Sequence, residues 1–333
     1  MKTEIYLPTT ENLEICAELL RSGELVAFPT ETVYGLGGNA LDPLAAKKIY
    51  AAKGRPSDNP LIVHIADKET VNVLAERVPE KAQIVMERFM PGPVTIVLPK
   101  KDVVPDAVTG GLKTVAVRMP SNPVALALIS RSGVPVCAPS ANTSTRPSPT
   151  SAAHVYNDLC GKIPAILDGG DCEVGVESTV IDFTTEKPRL LRAGGMPIET
   201  LEAAIGEIEI VQNSKVALCP GMKYKHYSPL ADVFVALPGE GLKERMRAAY
   251  DAITGEGKKT LIIALEDTAA EMGERNVRLA GKDYADYAHN LFAFLRDADA
   301  DGYEAVVCEG ADERLLGASV ANRLIKAAGG KTV

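Results

Sequence analysis

The chain has 333 residues, of which 46% are hydrophobic and 24% charged, and it carries a net charge of −8. That length exceeds what one hydrophobic core usually serves, so two domains are expected, and the composition is globular rather than disordered or fibrous. The acidic balance argues against a general nucleic-acid binder, which would carry a basic stripe, and no apolar run reaches the roughly 18 residues of a membrane span.

The first part of the chain alternates helices and strands. Thr10 is expected to cap an amphipathic helix over Leu13–Leu20, and Leu25–Phe28 reads as a short strand cut off by Pro29. Asp42-Pro43 is an N-cap followed by proline at the first helical position, which opens a helix running to about Lys53. Leu61–Ile65 is a strand, and helices follow at Glu69–Glu76 and Glu80–Phe89. Strands are expected at Val94–Leu98, Thr114–Val117, Val134–Ala138, Ile163–Leu167, Ser178–Phe183 and Arg189–Leu191, with helices at Pro123–Ser130 and Ser151–Leu159. Several strands carry β-branched residues on both faces, which predicts a sheet covered on both sides.

Residues 213–230 read as a linker between a first domain over 1–212 and a second over 231–333. The linker is not featureless: Lys223-Tyr224-Lys225-His226-Tyr227 lies between Pro220 and Pro229, a composition suited to a lid. Beyond it the pattern is a clean β-α-β alternation. Strands are expected at Val233–Ala236, Thr260–Ala264, Val277–Leu279 and Ala305–Val307, and helices at Leu242–Ile253, Tyr284–Ala298 and Arg314–Ala328. This is a small, mostly parallel, doubly wound sheet.

Familiar nucleotide motifs fail. No P-loop exists, and the loose match Gly35-Leu36-Gly37-Gly38-Asn39-Ala40 lies too far past its strand for a dinucleotide turn. The four histidines, His64, His154, His226 and His289, have no metal-ligand spacing. Six cysteines without a Cys-x-x-Cys pair, and an N-terminus without a secretion-signal pattern, read as a cytoplasmic protein with reduced thiols.

What remains is a set of unusual loop segments, most of them following strand ends, where open α/β sheets bind ligands. Pro29–Gly37 holds three hydroxyls and two glycines in one turn. Lys53-Gly54-Arg55-Pro56-Ser57-Asp58-Asn59-Pro60 places a cation fork after a helix, and its arginine suits a bidentate grip on phosphate or carboxylate. Arg118-Met119-Pro120 ends a strand that Thr114 begins. Pro139-Ser140-Ala141-Asn142 leads to Arg146-Pro147-Ser148, and Glu177-Ser178-Thr179 and Arg192-Ala193-Gly194-Gly195 complete the set.

In these strings, FPTETVYGLG, KGRPSDNPLIVHI, PGPVTIVL, VAVRMP, APSANTSTRPSPT, GVESTVIDF and LLRAGG, the chain resembles the YrdC-type threonylcarbamoyl-AMP synthases. PGMKYKHYSP and the C-terminal α/β pattern resemble the long, two-domain form of that family. The resemblance implies an N-terminal YrdC-like twisted mixed sheet flanked by helices, plus a smaller Rossmann-like parallel domain. It implies an enzyme that joins L-threonine, bicarbonate and ATP into threonylcarbamoyl-AMP and pyrophosphate, for threonylcarbamoyladenosine modification of tRNA.

By the same resemblance Thr32, His64, Arg118, Ser140 and Ser178 would contact threonine. Arg55, Asn59, Thr114, Ala138 through its backbone, Ser148, Arg192 and Tyr224 would contact ATP. Lys53, facing the phosphates or bicarbonate, and Arg55 are the expected catalytic residues. Mg²⁺ would enter through the ATP phosphates, since no carboxylate cage is visible. A downstream transferase would use the product, with no membrane and no stable nucleic-acid complex expected. The alternatives are an RNA-binding module, or a transferase using carbamoyl phosphate; relatives of the latter kind carry zinc-finger and acylphosphatase regions that this sequence lacks.

Overall fold

The computed structural model describes residues 1–211, Cys219 and 226–333. By packing, the chain divides into two units. The first takes Met1–Ser144, Pro149–Glu173 and the described residues from Glu177 through Cys219. The second takes the described residues from His226 to Val333, together with two short stretches, Thr145–Ser148 and Val174–Val176.

The first unit is built on the strands β1 (Glu4–Tyr6), β2 (Val26–Phe28), β3 (Gly35–Asn39), β4 (Ile62–His64), β5 (Val94–Pro99), β6 (Thr114–Arg118), β7 (Val136–Ala138), β8 (Ala165–Leu167), β9 (Thr179–Asp182), β10 (Arg189–Arg192) and β11 (Glu209–Ile210). They form one mixed sheet in the order β1-β8-β2-β3-β7-β4-β6-β5-β9-β10-β11. Its strands send alternate residues to opposite faces, as the pleat requires. Val26, Phe28, Val136, Ala138, Ala165 and Leu167 enter one core. Ala27, Cys137 and Ile166, the residues between them, enter the other. Over β2, β7 and β8 the sheet is therefore covered on both faces, in keeping with the β-branched pattern.

Local chemistry accounts for the helices. In α1 (Thr10–Arg21) the buried residues Leu13, Cys16, Ala17 and Leu20 recur at helical spacing. Its cap is Thr9, whose hydroxyl accepts from the Asn12 N–H, not Thr10, which is already the first helical residue. Asp42 caps α2 (Pro43–Lys53) as expected, and Gly54 ends it in the left-handed region at φ 63°. The helix expected at Glu69–Glu76 is one 3₁₀ turn, Lys68–Thr70, running into the four-residue helix α3 (Val71–Leu74). The remaining helices of this unit are α4 (Glu80–Phe89), α5 (Asp106–Thr109), α6 (Pro123–Ser132), α7 (Ala152–Leu159) and α8 (Ile198–Ile205).

A third expectation is overturned. Gly35–Gly37 belongs not to a turn but to β3, which pairs antiparallel with β2 at Val26↔Gly37 and Phe28↔Gly35. A Cβ on Gly37 would lie 2.8 Å from both the Phe28 ring and Val136 Cγ1. The glycine makes room for a buried ring rather than for a reversal of the chain, so only Pro29–Tyr34 is loop.

The second unit is a four-stranded sheet of β12 (Asp232–Ala236), β13 (Thr260–Leu265), β14 (Val277–Gly281) and β15 (Ala305–Glu309), ordered β12-β15-β13-β14. All its pairings are parallel. The helices are α9 (Leu242–Gly255), α10 (Glu266–Ala269), α11 (Tyr284–Ala300) and α12 (Leu316–Ala328). Met246, Tyr250 and Ile253 of α9 form a core with Ile262, Ala264, Ala305 and Val307 of the sheet. The stretch Thr145–Ser148 is held within this unit by an Arg146–Asp299 ion pair of 2.6 Å and a 2.5 Å bond from Arg296 Nη2 to the Pro147 carbonyl. Gly175 comes so near α11 that a Cβ on it would lie 2.4 Å from the Ala288 and His289 carbonyl oxygens.

Candidate functional site

The first unit brings two loops beside one another through its sheet order. Strand β3 lies between β2 and β7, so the Pro29–Tyr34 loop meets the segment after β7. Gly35 bridges to Ser140, the Leu36 N–H donates to the Pro139 carbonyl at 2.8 Å, and the Ala141 N–H donates to the Tyr34 carbonyl at 2.8 Å. Strand β4 lies between β7 and β6, with His64 opposite both Val136 and Arg118. The cross-strand register sets His64 beside Arg118, while Ser140, two residues past the Ala138 that faces Ile62, lies toward the other end of β4 next to Gly35.

Around Arg118 the buried polar groups are interlocked. Arg118 Nη1 donates to Thr32 Oγ1 at 2.8 Å, and Arg118 Nη2 lies 2.7 Å from Glu31 Oε1. Thr30 Oγ1 is 2.8 Å from Thr32 Oγ1 and donates to the Val33 carbonyl at 2.6 Å, which pins the loop. Glu31 also receives the Ser121 N–H at 3.1 Å. Glu31, Thr30 and Thr32 are each 3% exposed or less. Glu31 was not singled out from sequence although it lies in the FPTETVYGLG string; nothing in one sequence says which carboxylate of a loop turns inward.

His64 is a buried ring packed edge-on to Phe28, with centroids 5.9 Å apart, and its Nδ1 lies 3.2 Å from the Ile62 carbonyl. Burial first, and then the neighbouring Arg118 charge, lower its pKa to about 3 against the pull of the Ile62 and Val136 carbonyls. The imidazole is therefore neutral at physiological pH and serves as a shaped polar wall, not as a cation.

The residues expected to hold ATP are distributed more widely. Lys53 is 2% exposed, and its ammonium donates to the Ser140 carbonyl and, at 2.6 Å, to the Asn142 carbonyl. It stakes down the Ser140–Asn142 loop. Arg55 reaches the carbonyls of Asn59 at 3.4 Å and Pro60 at 3.3 Å. Asn59 is 2% exposed, yet its Oδ1 has no hydrogen-bond partner. A buried amide oxygen in that state costs free energy, so Asn59 is ready for a donor from a ligand. Thr114 begins the strand that Arg118 ends, about 13 Å away at 3.3 Å per residue. Ala138 closes β7 opposite Ile62.

Arg192 clasps the Ser178 carbonyl through Nε at 3.1 Å and Nη2 at 2.9 Å, and Nη2 also reaches Ser178 Oγ at 3.2 Å. Ser178 Oγ lies 2.7 Å from Thr95 Oγ1. The structure thus joins a residue expected at threonine to one expected at ATP. Gly194 permits this, for a Cβ there would lie 2.3 Å from the Ser178 carbonyl carbon and the Thr179 nitrogen. Ser148 is buried but packs in the second unit with the stretch that contains it. Tyr224, and with it most of the expected lid, lies outside the described residues.

None of the six cysteines forms a disulfide, and burial pushes the Cys16 thiol to about 11 and the Cys137 and Cys308 thiols to about 12. These three are packing residues rather than nucleophiles. Among the described residues no group of three or more His, Cys, Asp or Glu side chains could hold a metal ion, and no helix is long and apolar enough to cross a membrane.

Comparison with known proteins identifies the family and the fold. The family model described as "Telomere recombination", which spans the Sua5, YciO and YrdC proteins, matches residues 18–194. A second model, "Threonylcarbamoyl-AMP synthase, C-terminal domain", matches residues 196–329. The threonylcarbamoyl-AMP synthase of Pyrococcus abyssi is 50% identical over 95% of this chain and 94% of its own length. That of Bacillus subtilis is 46% identical over 95% and 93%. The crystal structure of P. abyssi Sua5 complexed with L-threonine superposes with a TM-score of 0.94 at 47% identity, covering 100% of this chain and 99% of that one. With both halves matched and identity sustained along nearly the whole length, the chain belongs to the Sua5/YciO/YrdC family, in the form that carries the Sua5 C-terminal domain.

Proposed function

We propose that this chain is a threonylcarbamoyl-AMP synthase that joins L-threonine, bicarbonate and ATP and supplies the product for threonylcarbamoyladenosine formation on tRNA. The observation that carries this reading is the end-to-end match to synthases, with the buried Thr32–Arg118 contact inside the matched region. The homologous P. abyssi protein has been crystallised with L-threonine.

In this reading the threonine amine combines with bicarbonate-derived CO₂ and sheds a proton to give a carbamate. A carbamate oxygen then attacks the α-phosphorus of ATP, and pyrophosphate leaves. Such chemistry needs alignment of two poor partners and neutralisation of phosphate charge more than it needs a covalent nucleophile. Arg118 takes the amino-acid carboxylate, with Thr32, Ser140, Ser178 and neutral His64 around it. Arg55, Asn59, Thr114, the Ala138 backbone, Ser148, Arg192 and Tyr224 attend the nucleotide, and Lys53 holds the Ser140–Asn142 loop between them. Mg²⁺ would come with the ATP phosphates, where it neutralises charge.

The test is pyrophosphate release by the full chain. It is expected to require threonine, bicarbonate and ATP together. Equal release with threonine omitted would overturn the reading.

A further inference from the structure

The synthase reading assigns Arg118 to the carboxylate of threonine but leaves the α-ammonium without a partner. We propose that Glu31 receives that ammonium, so that Glu31 and Arg118 together read the zwitterionic head of the amino acid; the inference rests on the threonine reading above.

Three observations lead there. Glu31 and Arg118 are both buried, at 3% and 4% exposure, in the first unit. Glu31 Oε1 and Arg118 Nη2 stand 2.7 Å apart, yet neither atom has a hydrogen-bond partner, because the approach satisfies distance without alignment. The other polar atoms of both side chains are placed: Arg118 Nη1 on Thr32, Arg118 Nε on the Gly92 carbonyl at 3.4 Å, and Glu31 Oε2 on the Ser121 N–H. One buried cationic donor and one buried anionic acceptor are thus left side by side with capacity to spare.

An α-amino acid fits that pair by its covalent geometry. Bond lengths of about 1.46 Å for N–Cα and 1.52 Å for Cα–C hold its ammonium within about 3 Å of its carboxylate oxygens. A carboxylate on Nη2 and an ammonium on Oε1 would give each orphaned atom a charge-assisted partner. A carboxylate acting only as counter-ion to Arg118 would make the same ion pair but would not distinguish ligands by their ammonium group.

The experiment is calorimetric titration of the full chain with L-threonine and with its 2-hydroxy analogue, 2,3-dihydroxybutyrate of matching configuration. The analogue keeps the carboxylate and side-chain hydroxyl and replaces the ammonium by a hydroxyl. The unaltered chain is expected to prefer threonine by about tenfold to hundredfold, the span of one hydrogen bond to a charged group. Glu31→Gln keeps the shape and an acceptor for the Ser121 N–H, and is expected to bring the preference to within about threefold of unity. If both affinities shift together and the preference survives, Glu31 is only a counter-ion and the proposal fails. Should Glu31→Gln not fold, Glu31→Asp decides: threonine weakening more than the analogue supports the proposal, and equal weakening overturns it. An unaltered chain that binds neither compound would sink the threonine reading itself, whereas one that binds threonine while Glu31→Gln keeps the preference sinks this inference alone.

Discussion

His64 carries a pH signature that a surface histidine would lack. Its folded-state pKa of about 3 lies below the ordinary 6.5, so the unfolded chain takes up a proton that the folded chain refuses. The stability this group contributes is whole above pH 6.5 and is lost as pH falls toward 3, at about 1.4 kcal/mol per unit. Urea denaturation between pH 6.5 and 4 should show this slope in the native protein and a slope shallower by about that amount in His64→Gln. Nearby, the hydroxyls of Thr32 and Ser178 already have partners, in Arg118 and in Thr95 and Arg192. A substrate hydroxyl that takes one of these partners leaves it unpaired when valine binds, so the site should reject valine roughly 10⁴-fold, while serine, which lacks only a methyl, should lose roughly 10–200-fold in kcat/KM. Comparable turnover of valine and serine would contradict that assignment. Arg118→Ala should weaken threonine binding and Arg55→Ala ATP binding, by about 1.5–3 kcal/mol each. Because Arg192 grips Ser178, Arg192→Ala should reach both ligands, and titration of each variant with each ligand decides the matter. Residue types at this site were legible because their strings are long and unusual. Partnerships such as Glu31 with Arg118, or Arg192 with Ser178, were not, because they depend on which strands lie side by side.

Elements began and ended where short-range chemistry put them, with exceptions that have local causes. Two adjacent threonines can both serve as an N-cap on paper, and the backbone selects Thr9, which is extended at φ −73° and ψ 160°. Thr9→Ala should therefore cost about 1 kcal/mol in thermal or urea unfolding, and Thr10→Ala much less. The run Gly35-Leu36-Gly37-Gly38 looks like a turn because strands seldom hold so many glycines. It is a strand because Phe28 of the neighbouring strand, Val136 and Leu25 occupy the volume that side chains would need. Gly194 is a sharper case, since any Cβ there meets backbone that cannot turn aside. Gly194→Ala should cost about 1–3 kcal/mol by overpacking, read by denaturation, and should also disturb Ser178. In the second unit Arg146→Ala would leave Asp299, 7% exposed, without its cation. The Leu230 and Ala231 N–H groups still bond to Asp299 at 2.7 and 3.0 Å, so the loss should be about 1.5–3 kcal/mol rather than unfolding.

For the molecule as a whole, a ligand that binds only the folded state stabilises it by mass action. Threonine at about 100 times its dissociation constant should add about 2.7 kcal/mol, seen as a melting temperature that rises with threonine concentration and rises distinctly less with the 2-hydroxy analogue at equal concentration. The sequence by itself determined the α/β class, the parallel arrangement of the second sheet and the membership in a family of adenylate-forming synthases. These follow from periodicity, from the strand–helix alternation and from long contiguous strings, all of which are local in the chain. The strand order β2-β3-β7-β4-β6 was decided only in three dimensions, and with it the pairing of His64 with Arg118, of Gly35 with Ser140 and of Arg118 with Thr32. So was the packing of Thr145–Ser148 and Val174–Val176 with the second unit rather than with their sequence neighbours. Hydrogen-bonded register between strands and the burial of individual charges depend on contacts distant in sequence, and hydrophobic patterning along one strand specifies its faces but not its neighbours.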